Sequence, residues 1–274
     1  MHASAPALRR GGIRWDCKVM VVEICVDSLE AAITAAKGGA ERIELCSDLT
    51  EGGITPSAGL LQMVRAAVPI DVFVMIRPRG GDSCYSAREL ETMEADIAVA
   101  KRLGANGVVF GVLQSDGHVD VARTERFVKL AAPVEVTFHR AIDMTPDLER
   151  ACEDAITAGA HRILTSGGKQ TARLGAEQIA RLVKRADGRL GVMAASGINA
   201  NNAAELIRAT GVRELHASLR RRTASPLQYR NGGVSMGARR DSEFVRYELM
   251  EDDVRALRRA ADAAAAANGE RSIK

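Results

Sequence analysis

Val19-Met20-Val21-Val22-Glu23-Ile24-Cys25-Val26 is followed by Leu29-Glu30-Ala31-Ala32-Ile33-Thr34-Ala35-Ala36-Lys37-Gly38-Gly39, and then by Arg42-Ile43-Glu44-Leu45-Cys46. The first run is apolar and β-branched, as a strand requires. Leu29, Ile33 and Ala36 recur at helical spacing, and the glycine pair supplies a left-handed stop before the next strand. This is one βα unit, and its two strands share the pattern Glu-x-Cys. Residues two apart on a strand project to the same face, so neighbouring parallel strands would bring Glu23, Cys25, Glu44 and Cys46 together. Buried carboxylates are costly without partners. The stretch therefore predicts a polar pocket at the strand ends.

The same unit repeats along the chain. Further strands are expected at Asp71–Arg77, Gly107–Val112, Val134–His139, Arg162–Thr165, Leu190–Ala194 and Glu214–Leu219, giving eight βα units. Glycine stops recur at Gly104, Gly159 and Gly211, Thr55-Pro56 reads as a helix start, and Asp120 reads as an N-cap. Eight alternating units in about 250 residues fit a closed (β/α)8 TIM barrel in a single domain. The open doubly wound sheet is the alternative, weakened by the lack of a GxGxxG after the first strand. The barrel is expected over 19–267, with a disordered extension at 1–18 and a frayed tail at 268–274. Met20 is a candidate native start. The pattern loosens from Arg220 to Met250, and a closing helix is expected from Asp252 to Ala267.

Composition narrows the function. The 274 residues are 46% hydrophobic but only 3% aromatic, which leaves few platforms for base stacking, and the net charge of +3 predicts no polyanion groove. Nucleic acid is excluded as a partner. No apolar run approaches the length of a membrane span, and the first twenty residues lack the core of a secretory signal. The five cysteines are widely spaced and form no CxxC pair, which suits reduced thiols in the cytoplasm.

In a barrel of this kind chemistry gathers at the carboxyl ends of the strands. There the chain places Glu23, Cys25, Glu44, Cys46, Arg77, Arg79, His139, Ser166-Gly167-Gly168, Ser196-Gly197 and His216. Arg77 reads either as the counter-charge of a buried carboxylate network or as an anion clamp. His139 reads either as a core histidine or as a general acid or base oriented by Glu23 or Glu44. The glycine loops either cradle an anion such as phosphate or make tight turns. Cys25 and Cys46, on adjacent strands, suit a soft ion such as Cu(I) or act as small buried hydrophobes.

At these residues the chain resembles the CutC copper homeostasis family. The matching stretches are Glu23-Ile24-Cys25-Val26-Asp27-Ser28, Arg42-Ile43-Glu44-Leu45-Cys46, Glu51-Gly52-Gly53, Met75-Ile76-Arg77-Pro78-Arg79-Gly80-Gly81-Asp82, Val136-Thr137-Phe138-His139-Arg140-Ala141, Leu164-Thr165-Ser166-Gly167-Gly168, Glu214-Leu215-His216-Ala217-Ser218, and Arg230-Asn231 with Val234-Ser235-Met236-Gly237. The resemblance implies a cytoplasmic, homo-oligomeric (β/α)8 barrel linked to copper tolerance, with Cys25 and Cys46 at the positions proposed to hold Cu(I). There is one departure: where the family has Pro-Gly-Gly-Gly after strand seven, this chain reads Ala194-Ala195-Ser196-Gly197.

Three readings follow, the third an interaction protein whose oligomer surface matters more than its pocket. In the first, a copper-handling protein takes Cu(I) at Cys25 and Cys46. In the second, an enzyme acts on a small anionic or phosphorylated substrate, with Glu23, Glu44, Arg77 and His139 in catalytic roles and Arg79, Ser166, Gly167, Gly168, Ser196, Gly197 and His216 binding the anion.

Overall fold

A computed structural model describes residues 20–234, 236 and 243–271. The expected extension 1–18 lies outside them, as do the last three residues of the expected tail. Eight parallel strands close into a barrel: β1 (Val21–Val26), β2 (Arg42–Leu45), β3 (Asp71–Met75), β4 (Gly107–Phe110), β5 (Glu135–Phe138), β6 (Arg162–Thr165), β7 (Gly191–Ala195) and β8 (Glu214–Ala217). β8 pairs back onto β1, Glu23 facing His216 in register, so no edge is left for the open-sheet alternative. Helices α1 (Leu29–Lys37), α2 (Ala58–Ala67), α3 (Ala87–Arg102), α4 (Val121–Ala131), α5 (Leu148–Thr157), α6 (Ala176–Ala186), α7 (Ala203–Thr210) and α8 (Glu251–Arg271) form the outer ring.

Local signals set several boundaries. Asp120 caps α4 by accepting the Arg123 N–H at 3.0 Å. Thr55-Pro56 does not start α2: Ser57 is the cap, accepting from Leu60 N, and the Thr55 hydroxyl instead accepts the Arg77 N–H at 3.0 Å. The loosened segment after β8 contains an antiparallel ribbon, β9 (Arg220–Ala224) with β10 (Val245–Leu249). Its β9 strand is arginine-rich rather than apolar, so hydrophobic periodicity misses it.

The alternation of side chains divides the core. Val22, Ile24, Ile43, Leu45, Val72, Val74, Val108 and Phe110 face the helices and join one large apolar cluster. Inside the barrel lie two small apolar clusters among the described residues, Cys25, Cys46, Phe73, Met75 and Val109 on one side and Leu164, Met193 and Ala195 on the other. Phe73 occupies its place because β4 offers Gly107 there: a Cβ at that position would lie 2.5 Å from the ring. The Arg42 and Arg162 guanidiniums lie over the Phe73 ring at 4.8 and 5.3 Å, a favourable cation–π arrangement in a desolvated interior. The outer shell thus carries the hydrophobic packing, leaving the interior free for charge.

Candidate functional site

A buried ion-pair chain forms the floor of the site. Arg42 bridges Glu23 and Glu214, and Arg162 joins Glu214 at 2.6 Å to Glu135 at 3.0 Å. The counter-charge expected of Arg77 is therefore supplied by Arg42. Above this floor His216 places Nδ1 2.7 Å from Glu23 Oε1 and Nε2 3.9 Å from Glu44 Oε2. The carboxylates expected to orient His139 orient His216 instead. Cys25 Sγ lies 3.2 Å from Glu44 Oε2 and 3.8 Å from Cys46 Sγ, and Cys46 Sγ is 3.5 Å from the same carboxyl oxygen.

This geometry sets the charges. Burial acts to raise the Glu23 carboxyl, but Arg42 and then His216 outweigh it and hold it down at about 2. The contact with Cys46 lowers the Cys25 thiol most; burial opposes it, and His216 and Glu44 help bring it to about 5. Burial and the neighbouring Cys25 charge push Glu44 well above the usual carboxyl range. Burial, followed by the contact with Cys25, does the same to the Cys46 thiol. Burial would lower His216, yet Glu44, Cys25 and Glu23 together raise it well above its ordinary value. These shifts favour charge on Glu23, His216 and Cys25 and oppose it on Glu44 and Cys46. Glu44 Oε1 is buried with no hydrogen-bond partner among the described residues.

Over the cluster opens a cavity of about 930 Å³, lined at its base by Cys25, Glu44, Met75 and His216 and around its walls by residues including Arg77, His139, Arg140, Ser196, Gly197 and Arg220. Arg77 donates to the carbonyls of Glu51, Gly53 and Gly81 at 2.7–2.9 Å. Those acceptors are neutral, so its guanidinium is held rigidly with no ion-pair partner among the described residues. His139 is buried, and its Nδ1 accepts the Ala141 N–H at 3.1 Å, which puts the ring proton on Nε2. Burial, with the Arg77 charge next, lowers its pKa to about 3. A neutral ring of this tautomer presents an N–H at Nε2, and that buried nitrogen has no hydrogen-bond partner among the described residues.

The anion-binding expectations divide. Ser196 and Gly197 line the cavity, both at positive φ, 80° and 73°. Ser196 adopts the left-handed backbone that a glycine would take without strain. Ser166, Gly167 and Gly168 do not offer the expected cradle. Asp143 fills it, accepting from Ser166 N at 2.9 Å, Gly168 N at 3.0 Å and Thr165 Oγ1 at 2.5 Å, while Gly167 N is bonded to Thr165 Oγ1. Gly167 serves close packing: a Cβ there would lie 2.4 Å from the Gly175 carbonyl. Arg79 lies outside the cavity, paired with Glu89 at 2.6 Å and with Asp82.

Sequence reading missed Arg42, Arg162, Glu135 and Glu214. The signal was present in Arg42 and Glu44, and again in Glu214 and His216, charged residues two apart within apolar strands. Two donor sets result: Cys25, Glu44 and Cys46 each present an atom within 4.8 Å of the others, and so do Glu23, Glu44 and His216. The first set is sulfur-rich and the second lies around a protonated imidazole, so a soft ion fits the first. No described helix is long and apolar enough to cross a membrane.

Comparison with known proteins identifies the family. The CutC family model matches residues 20–221. A CutC family protein of Chromobacterium violaceum is 49% identical over 244 residues, covering 89% of this chain and 99% of its own. A human protein named copper homeostasis protein cutC homolog is 47% identical, covering 87% of this chain and 86% of its own. A crystal structure of a CutC copper homeostasis protein from Streptococcus agalactiae superposes with a TM-score of 0.69 at 32% identity, covering 72% of this chain and 98% of that one. The matched residues run from β1 through β8 and hold the whole thiol and carboxylate cluster, and on that ground the chain belongs to the CutC family.

Proposed function

We propose that this protein takes part in copper homeostasis by binding Cu(I) through Cys25 and Cys46 at the base of the barrel cavity. The observation that carries the reading is the thiol pair, 3.8 Å apart, with Cys25 held as a thiolate beside His216. Soft thiolates select Cu(I) over hard cations, and the names of the human and Streptococcus relatives point the same way. Binding displaces the Cys46 proton, and Arg42 and His216 offset the charge of a dithiolate. The protein acts in the cytoplasm, where both thiols stay reduced, and as a homo-oligomer. The test is anaerobic Cu(I) titration against a competing chelator, with the Cys25→Ser, Cys46→Ser double variant alongside. Tight one-to-one binding lost in the variant supports the reading, and weak binding indifferent to both substitutions removes it.

A second reading is favoured by the walls. A cavity of about 930 Å³ is far larger than one ion needs, and Arg77 lines it with no ion-pair partner among the described residues. An enzyme acting on a small anionic molecule, with Arg77 as the clamp, accounts for both. Thermal-shift screening against small carboxylates and phosphate monoesters tests it: a ligand that raises the melting temperature of the wild type but not of Arg77→Ala supports this reading, and a screen without stabilisers counts against it.

A further inference from the structure

We infer that Met75 supplies a third sulfur ligand to Cu(I), making the site a three-sulfur centre of Cys25, Cys46 and Met75; this rests on the copper reading above. β2 and β3 pair with Leu45 opposite Val74, and one residue further along each strand stand Cys46 and Met75. Residues opposite one another in a sheet project to the same face, and here that face is the barrel interior. Met75 is buried in the same packed cluster as both cysteines, and with Cys25 it lines the base of the cavity. Three sulfurs therefore gather from three successive strands, β1, β2 and β3.

The chemistry of the surroundings favours a thioether here. The site already buries the carboxyl groups of Glu23 and Glu44 together with the two thiols, and a further anionic ligand would add to the cost of charge in a desolvated place. A thioether is neutral, soft and needs no proton removed, so it completes the coordination of a soft ion without changing the charge. Glu44, the competing third donor, offers a hard oxygen. The packing alternative, in which Met75 merely fills a gap between Phe73 and the thiols, makes no demand on sulfur and is met equally well by leucine.

Met75→Leu separates the two, because the exchange conserves volume and keeps the barrel folded. Anaerobic chelator competition is run on wild type, Met75→Leu and the double cysteine variant, with Cu K-edge absorption on the loaded proteins. The expected results are Cu(I) binding at least ten-fold weaker in Met75→Leu, about 1.4 kcal/mol, and three sulfur scatterers in the wild type against two in the variant. Wild type grown on selenomethionine is expected to show a copper–selenium distance that Met75→Leu lacks. Equal affinity in wild type and Met75→Leu with no copper–selenium scattering overturns the role of Met75 while leaving the cysteine pair in place. Failure of the wild type to bind, or binding that survives loss of both cysteines, overturns the copper reading and this inference with it.

Discussion

Replacing Arg42 by methionine removes the guanidinium that lies between Glu23 and Glu214 while keeping the bulk of the side chain over Phe73. Breaking a buried ion pair costs about 3–5 kcal/mol, because the remaining charge is stranded. Glu214 keeps Arg162 and Glu23 keeps His216, which puts the loss near the lower bound. The titration of Glu23 gives a similar figure: a carboxyl moved from 4.5 to about 2 contributes about 3 kcal/mol to folding. The folded pKa is depressed, so that stability is present above pH 4.5 and is lost as pH falls toward 2. Without Arg42 only His216 is left to oppose the effect of burial on Glu23, and most of this contribution is lost. For a domain of this size about 3 kcal/mol corresponds to a drop of about 6–12 °C in Tm. Thermal melts followed by circular dichroism at pH 7 and pH 3 provide the assay, with the gap between wild type and Arg42→Met widest at pH 7 and reduced at pH 3. A variant melting within about 2 °C of wild type at pH 7, or an undiminished gap at pH 3, refutes the reasoning.

Three other outcomes are expected. Alkylation of Cys25 by iodoacetamide should rise through about pH 5 rather than near the ordinary thiol value of 9.0, and in His216→Phe, which lacks the imidazolium, the profile should move to higher pH; an unmoved profile would show that His216 does not hold the thiolate. Nitrogen-15 spectra of His139 should report a neutral ring with its proton on Nε2 from pH 5 to pH 8, since its pKa lies at about 3; a titration near pH 6.5 would return it to acid–base duty. Gly107→Ala should destabilise the barrel by about 1–3 kcal/mol through overpacking against the Phe73 ring 2.5 Å away, and a neutral Tm would mean that the ring moves freely aside.

Much of the site was legible because strand periodicity is local. Glu23, Cys25, Glu44 and Cys46 were placed on one face by counting in twos, and the structure gathers them in one cluster, Glu23 and Glu44 against His216 and Cys46 joined through Cys25 and Glu44. Misassignments arose where the partner came from a distant strand. Arg77 was one candidate counter-ion because it is an arginine just past the end of β3, whereas Arg42 sits in register with Glu23 on the neighbouring strand. Ser166-Gly167-Gly168 looked like a phosphate cradle because glycine permits close approach, and nothing in the loop announces that Asp143, from the turn after β5, fills it. His139 and His216 could not be ranked from composition, since one stands just past β5 and the other within β8, and only the charges that surround each in the fold tell them apart.

What the chain determined by itself was the repeat of eight strands and helices, the glycine stops between them and the shared inward face of the two Glu-x-Cys strands. These depend on backbone preference and on side-chain periodicity within a few residues. Closure of the barrel decided the rest: it set β8 against β1 and brought His216 onto Glu23 across 193 positions of sequence. Which carboxyl carries its charge, which thiol is a thiolate and which histidine stays neutral follow from distances and burial, and those exist only once the strands have met.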